Sequence, residues 1–151
     1  MKKTSNAQRR TPNVEFRNGR VVEFRDGEYG SRSHQKYDLE ERLLNFTARI
    51  VCLVDSLPKT EAGNHISGQL LRCGTSPLAN HGEVEAAESR KDFLHKLRIC
   101  LKELRETWRW LRLIGNLKLA DITELQKALT EVGELIRIFV ASVRTAEKNE
   151  K

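Results

Sequence analysis

The stretch SRKDFLHKLRICLKELRETWRWLRLIGN, residues 89–116, carries the clearest structural signal in this 151-residue chain. Its apolar residues recur at steps of three or four, which is the spacing of one face of an α-helix. The members of this face are Phe93, Leu97, Cys100, Leu104, Trp108, Leu111 and Ile114. Ser89 is suited to cap the start of the helix, with Asp92 three residues later in a capping-box-like pattern. Gly115 and Asn116 favour its end.

The same spacing recurs on both sides of this stretch. Before it, the apolar positions are Leu39, Leu43, Phe46, Ile50, Leu53 and Leu57, and then Ile66, Leu70 and Cys73. After it, they are Ile122, Leu125, Leu129, Val132, Ile136, Phe139 and Val143. Pro58 favours a helix end, and Asp121 is a good N-cap. We therefore predict an all-α fold, an antiparallel up-down four-helix bundle with helices near 38–57, 61–86, 89–115 and 121–147.

Pro77 falls inside the second of these predicted helices. A proline has no N–H to donate to the carbonyl of Cys73, and its ring crowds that carbonyl, so we expect a kink. Thr75 and Ser76 can hydrogen-bond locally, and Gly74 permits another backbone to come close. The kink has two interpretations: an irregularity near the end of a helix, or a shaped surface for a neighbouring subunit.

The net charge of +6 is unevenly distributed. Residues 1–37 contribute a net +5, whereas residues 38–151 contribute a net +1. Asn18-Gly19, between two short apolar runs, predicts a β-hairpin, which is marginally stable alone. We expect residues 1–36 to form a mobile basic arm and residues 37–151 to form the bundle. Such an arm is typical of nucleic-acid binding, or serves only to keep a protein soluble.

Several classes of protein are disfavoured by the sequence. It has no apolar run of about 20 residues to span a membrane, and no apolar segment follows the basic N-terminus as in a secretory signal. Cys52, Cys73 and Cys100 lack metal-type spacing and fit small apolar residues in a reducing cytoplasm, with a disulfide between two of them as the alternative. No motif indicates a cofactor. One group of His and Glu residues suggests a metal site by its residue types, but its spacings match no strong ligand pattern: His81, Glu83, Glu85, Glu88 and His95.

A second pattern runs along the helix predicted at 89–115. Its basic residues lie about 130° around the helix from the apolar face. We name them the basic stripe: Lys91, Arg98, Lys102, Arg105, Arg109 and Arg112. Such a row can follow a phosphate backbone, which predicts an RNA or DNA partner. The alternative is a solvated face paired with acids of neighbouring helices, for instance Glu83, Glu85 and Glu88.

The predicted helices carry more apolar surface than a monomeric bundle needs. On the first helix, Tyr37, Leu44, Ala48 and Val51 form a second line away from the core face, which we name the apolar seam. On the third helix, Ile99 and Trp110 lie away from both the core face and the basic stripe. These residues predict subunit contacts in a homo-oligomer. The alternative is ordinary scattered exposure.

One pair of residues suggests an enzyme. Arg90 and His95 have the R-x-x-x-x-H spacing of some all-helical ribonucleases, and this is the alternative to a non-enzymatic function. Five residues apart on a helix, their side chains diverge by about 140°, so a catalytic pair within one chain is disfavoured, whereas a pair across a dimer seam stays open. The sequence has no Gly-rich phosphate loop and no nucleophile motif.

The run QLLRCGTSPLANHGEVEAAESRKDFLHKLRICLKELRETWRWLRLI, residues 69–114, resembles the four-helix-bundle family of 23S rRNA intervening-sequence proteins. The shared motifs are Q-L-x-R, G-T-S with a nearby Pro, A-N, A-x-S-x-x-D-F and L-K-E-L-x-E-T. The segment ELIRIFVASVRTAEK, residues 134–148, is also similar to the last helix of that family. The resemblance covers about residues 38–147. Cys73 and His81 depart from it, where Ser and an apolar or aromatic residue are usual.

The resemblance implies a small bacterial protein, encoded in some cases inside insertions in large-subunit rRNA genes. No catalytic residues are known for the family, so none can be carried over. A related member is an accessory protein of the reverse transcriptase of diversity-generating retroelements, assembles as a pentamer and binds nucleic acid. The resemblance therefore implies a self-associating adaptor, with RNA, DNA or a reverse transcriptase as partner.

Overall fold

The computed structural model describes residues 14–17, 20–23 and 39–148. The chain divides into two units, Met1–Lys36 and Tyr37–Lys151. In the first unit, strand β1 (Val14–Arg17) pairs antiparallel with β2 (Arg20–Glu23), Val14 opposite Glu23. The hairpin predicted around Asn18-Gly19 is therefore confirmed. The mobility predicted for the remainder of the arm lies outside the described residues.

The second unit contains four helices, namely α1 (Leu39–Ser56), α2 (Glu61–Glu85), α3 (Arg90–Asn116) and α4 (Ile122–Lys148). Each boundary lies within one residue of its prediction. The all-α, four-helix fold is confirmed. The boundaries were predictable because helix starts and ends depend on local sequence.

Each helix packs against two others in a closed order, in which α1 and α3 each contact α2 and α4. Arg42 of α1 pairs with Glu131 of α4, and Arg49 pairs with Glu124. The second pair lies seven residues later in α1 and seven residues earlier in α4. Since the connections between consecutive helices are also short, we infer that neighbouring helices run antiparallel.

Side-chain caps hold the helix starts. The hydroxyl of Thr60 accepts a hydrogen bond from the Gly63 N–H at 3.1 Å, and the hydroxyl of Ser89 accepts one from the Asp92 N–H at 3.1 Å. The carboxylate of Asp121 accepts two, both at 3.0 Å, from Thr123 and Glu124. The capping functions predicted for Ser89 and Asp121 are confirmed.

The residue that caps the end of α3 differs from the prediction. The chain leaves the helix through Lys118, which has a φ of 53°. The N–H of Leu119 donates to the Ile114 carbonyl and that of Lys118 to the Gly115 carbonyl, each at 3.1 Å, which is a Schellman motif. Gly115 is therefore not the C-terminal glycine. It lies inside the last turn, where an added Cβ would stand 3.1 Å from the Leu125 side chain.

The second helix continues through Pro77, which is buried. The Pro77 carbonyl accepts a weak hydrogen bond from the Cys100 thiol of α3 at 3.9 Å. A Cβ added to Gly74 would stand 2.7 Å from Cγ2 of Ile50. The close neighbour of Gly74 is thus the Ile50 side chain of α1 and not another backbone as predicted. The kink itself stays a prediction.

The core matches the predicted faces of α1 and α2. Along α1, Leu39 is half-buried and the other predicted positions are buried. In α3 the prediction is wrong at Phe93 and Trp108, whose side chains are 37% and 36% exposed. The interior positions instead include Leu94, Leu101 and Thr107.

The predicted face of α4 also needs correction. Ile122, the first residue of the helix, is 70% exposed because it lies at the end of the bundle. Leu129 and Ile136 are only half-buried. Three residues outside the predicted pattern are buried: Ala128, Leu135 and Ala146.

Candidate nucleic-acid interface

All six residues of the basic stripe are exposed on α3. The guanidinium of Arg98 pairs with the Glu147 carboxylate of α4 at 2.8 Å, with side-chain exposures of 55% and 44%. This ion pair places Arg98 at the outer edge of the α3–α4 contact. The structure therefore places the stripe on one continuous side of one helix.

Most of the stripe carries uncompensated charge. Among the residues that the structure describes, Arg98 is the one stripe member with a carboxylate within 4.0 Å. The predicted alternative was neutralisation by the acids before α3. Glu83 instead approaches Lys96 at 3.6 Å, and Lys96 also pairs with Asp92 at 2.8 Å. The hydrogen bond from Lys96 is the main cause that lowers the pKa of Asp92.

The acidic residues within α3, all of which the structure describes, also make no ion pair with the stripe. Glu103 and Glu106 are half-buried. The Glu106 carboxylate lies 3.8 Å from the Arg72 guanidinium of α2, so it faces the opposite neighbour from Arg98. Because Glu106 pairs towards α2 and Arg98 pairs towards α4, the stripe presents a largely cationic surface.

An exposed aromatic ring that sequence reasoning assigned to the core lies in this surface. The guanidinium carbon of Arg112 is 4.6 Å from the centroid of the Trp108 ring, a cation–π contact. Nearby, the Arg109 guanidinium donates to the Arg105 carbonyl at 3.4 Å. The sequence signal that could have identified Trp108 is its position beside Arg105 and Arg112 at helical spacing.

A further basic residue comes from α4. Arg144 is exposed and lies three residues before Glu147, the partner of Arg98. It has no carboxylate within 4.0 Å in the described part of the chain. Sequence reasoning missed it because the pairing of α3 with α4 depends on contacts distant in sequence.

The apolar seam of α1 is exposed where the structure describes it. Leu44 is 48% exposed, Val51 is 38% exposed, and Ala48 between them is exposed as well. Leu71 of α2, which was not predicted, is 39% exposed. Tyr37 lies outside the described residues.

The two predicted interface residues of α3 differ from each other. Ile99 is half-buried. Contrary to the prediction, Trp110 does not point away from the core. It packs against the core, with its ring edge-on to that of His65 at 6.1 Å between centroids. The packing of α2 on α3 therefore covers much of this residue.

Within one chain, the structure does not bring Arg90 and His95 together as a pair. Arg90 donates a hydrogen bond to the Ala146 carbonyl at 3.1 Å, where a cation stabilises the C-terminal turn of α4. No hydrogen bond or ion pair joins Arg90 to His95 among the described residues. Arg90 is thus explained by a structural contact.

The described residues include no group of three His, Cys, Asp or Glu placed to hold a metal ion. None of the four helices is long and apolar enough to cross a membrane. The three cysteines are free thiols, with Cys52 exposed and the other two buried. Burial raises the pKa of both Cys73 and Cys100 to about 11.

Comparisons with known proteins agree with the fold. The model of the 23S rRNA-intervening sequence protein family matches residues 35–141. The chain is similar to a 1.70 Å crystal structure of a protein of unknown function from the S23 ribosomal protein family of Bacteroides thetaiotaomicron VPI-5482. That similarity has a TM-score of 0.64 and 34% identity, over 69% of this chain and 96% of the other. No curated protein matches. The chain belongs to the 23S rRNA-intervening sequence protein family.

Proposed function

We propose that this protein is a non-catalytic, self-associating module that binds nucleic acid through the basic stripe of α3. The observation that carries the proposal is the set of five exposed cations without a carboxylate within 4.0 Å among the described residues. Cations that protein acids do not neutralise are available to phosphates, and each phosphate contact releases a condensed counterion.

The length of the stripe supports a strand as its ligand. From Lys91 to Arg112 a helix rises by roughly 32 Å, at about 1.5 Å per residue. A row of this length can contact several successive phosphates of one strand. Because phosphate contacts carry no sequence information, binding should tolerate any sequence and weaken with salt.

One further observation supports RNA as the ligand, and another supports self-association. The family name refers to intervening sequences of 23S rRNA, which favours RNA as the polyanion. The exposed apolar seam favours self-association, in which several copies of the stripe would bind one strand. Linked copies convert weak contacts into usable affinity.

Charge reversal tests the proposal. Replacing Arg98, Arg105 and Arg112 by Glu changes only exposed positions, so the fold should survive. Binding of a single-stranded RNA, measured by mobility shift at about 50 mM salt, should weaken at least tenfold. The RNA should remain intact, because the protein is proposed to lack catalysis.

A matched control carries the same change of charge elsewhere. Arg72, Lys127 and Arg137 are exposed basic residues outside the stripe, and their replacement by Glu should leave most of the binding. Both triple variants keep the basic arm. Equal binding by the two variants, or no association of wild-type protein with RNA at low salt, would contradict the proposal.

A further inference from the structure

We propose that Trp108 and Arg112 form a stacking platform for an unpaired base, so that the stripe prefers single-stranded nucleic acid to duplex. This inference rests on the proposed function and adds the class of its ligand. The two residues would contact a base, whereas the other stripe residues contact phosphates.

The first support is the position of Trp108. The ring is 36% exposed, although the periodicity of α3 predicts it in the core. The neighbouring Thr107 is fully buried instead, and its hydroxyl donates to the Glu103 carbonyl at 2.9 Å. The structure thus buries a small polar residue and leaves a large aromatic ring at the surface.

The second support is the set of charges around the ring. Arg105 lies three residues before Trp108 and Arg112 four residues after it, so both are its neighbours on the helix surface. Arg112 already stacks on the ring at 4.6 Å. A base on this platform would have its own phosphate close to one of the two arginines.

The chemistry favours an unpaired base. In a duplex both faces of each base stack on other bases, whereas a single strand can present a face to an aromatic ring or to a planar guanidinium. Aromatic rings interleaved with cations are the usual platform for single strands, with little sequence preference. A base could extend the Arg112–Trp108 stack, or displace the guanidinium, which would then be free to contact phosphate.

Equilibrium binding by two DNA probes at about 50 mM salt tests this inference: a 12-nucleotide oligothymidylate and a 12-base-pair duplex. Trp108→Leu keeps an apolar side chain but removes the ring. It should weaken oligothymidylate binding about tenfold and duplex binding less than twofold. Trp108→Phe should retain most of the affinity for oligothymidylate. Trp110→Phe should change neither, because Trp110 packs against the core.

Fluorescence gives a second measurement that does not depend on Trp108 variants. Trp108 and Trp110 are the two tryptophans of the chain, so Trp110→Phe leaves Trp108 as the sole emitter. Saturating oligothymidylate should quench its emission. Inorganic polyphosphate, which has charges but no bases, should bind without comparable quenching.

The outcomes separate this inference from the proposed function. If charge reversal abolishes binding but Trp108→Leu binds oligothymidylate like wild type, the stripe binds phosphate and the stacking platform is wrong. Equal quenching by polyphosphate would overturn the platform as well. If wild-type protein binds neither DNA probe at low salt, the platform is wrong, and if it also fails to bind single-stranded RNA, the proposed function is wrong as well.

Discussion

Among the described glycines that face another helix, Gly74 of α2 has the tightest contact, which it makes with α1. An added Cβ would stand 2.7 Å from Cγ2 of Ile50, whereas one added to Gly82 meets nothing within 4 Å. We expect Gly74→Ala to lower the free energy of unfolding by about 1–3 kcal/mol, because Ile50 must shift in a packed core. Gly82→Ala should raise it by about 0.5–1 kcal/mol. Urea unfolding that shows equal effects would contradict this contact.

Lys118 adopts a backbone conformation that favours glycine. Its φ of 53° places a side chain in the left-handed region at the end of α3. Lys118→Gly should raise the free energy of unfolding by up to about 1 kcal/mol. Lys118→Ala is the matched control, since it removes the charge but keeps the Cβ. An equal gain in thermal stability from both would attribute the effect to charge.

The three thiols should differ in reactivity. Cys52 is exposed, whereas burial raises the pKa of Cys73 and Cys100 from 9.0 to about 11. At pH 8 a thiol reagent should modify one cysteine quickly and the other two only after denaturation in urea. Fast modification of all three in the native protein would show that the core is open.

The same two thiols predict a pH dependence. The unfolded chain releases their protons at lower pH than the folded protein does. Their contribution to stability is therefore complete below about pH 9 and is lost as the pH rises through about 11. Replacing Cys73 by Ala should reduce this loss in urea unfolding measured at pH 8 and pH 10.5. An unchanged difference between the two pH values would contradict the assignment.

At the scale of the helix, α3 shows where sequence periodicity is sufficient and where it is not. Ser89 and the predicted Leu97–Ile114 face agree with the structure except at Trp108. Thr107 is buried where Trp108 was predicted to be. This could not be predicted from hydropathy, because the Thr107 hydroxyl donates its hydrogen bond within its own helix and can therefore be buried. Hydropathy alone treats such a residue as polar.

The start of α3 shows a second reason for failure. Phe93 lies on the predicted face, yet it borders a shallow depression lined on α4 by Ala141, Ser142, Thr145 and Ala146. These small side chains cover little of the ring. Whether an apolar residue is buried depends on the partner helix. The pairing of helices cannot be predicted from the spacing of apolar residues within one helix.

The cap of α3 should be a measurable part of its stability. Ser89→Ala removes the acceptor for the Asp92 N–H and should lower the free energy of unfolding by about 1 kcal/mol. Ser67→Ala, inside α2, is the control, because alanine is the better helix former there. Loss of stability in the control but not in Ser89→Ala would contradict the cap.

For the whole molecule, the apolar seam predicts self-association. Light scattering at tens of micromolar should return a mass larger than the 17.4 kDa of one chain. Val51→Asp should reduce that mass, because a charge desolvated in a packed interface is costly. Gln126→Asp, an exposed position on α4, should not change it. A wild-type monomer would contradict self-association.

The distribution of charge over the whole chain could be predicted from the sequence. Which of the cations lack a carboxylate partner could not. The stripe follows from the spacing of Lys and Arg in one helix. The orientation of Glu106 towards Arg72, and the pairing of Arg98 with Glu147 of α4, needed the packing of three helices. The fold was thus more predictable than the interface.

The salt dependence of single-stranded RNA binding tests the central claim, that the stripe binds phosphates, most directly. The logarithm of the association constant, plotted against the logarithm of salt concentration, should fall with a slope of about −0.7 for each phosphate contacted. Arg105→Gln should make the slope less negative by about 0.7, whereas Lys127→Gln should leave it unchanged. Equal slopes for wild type and Arg105→Gln would contradict the account.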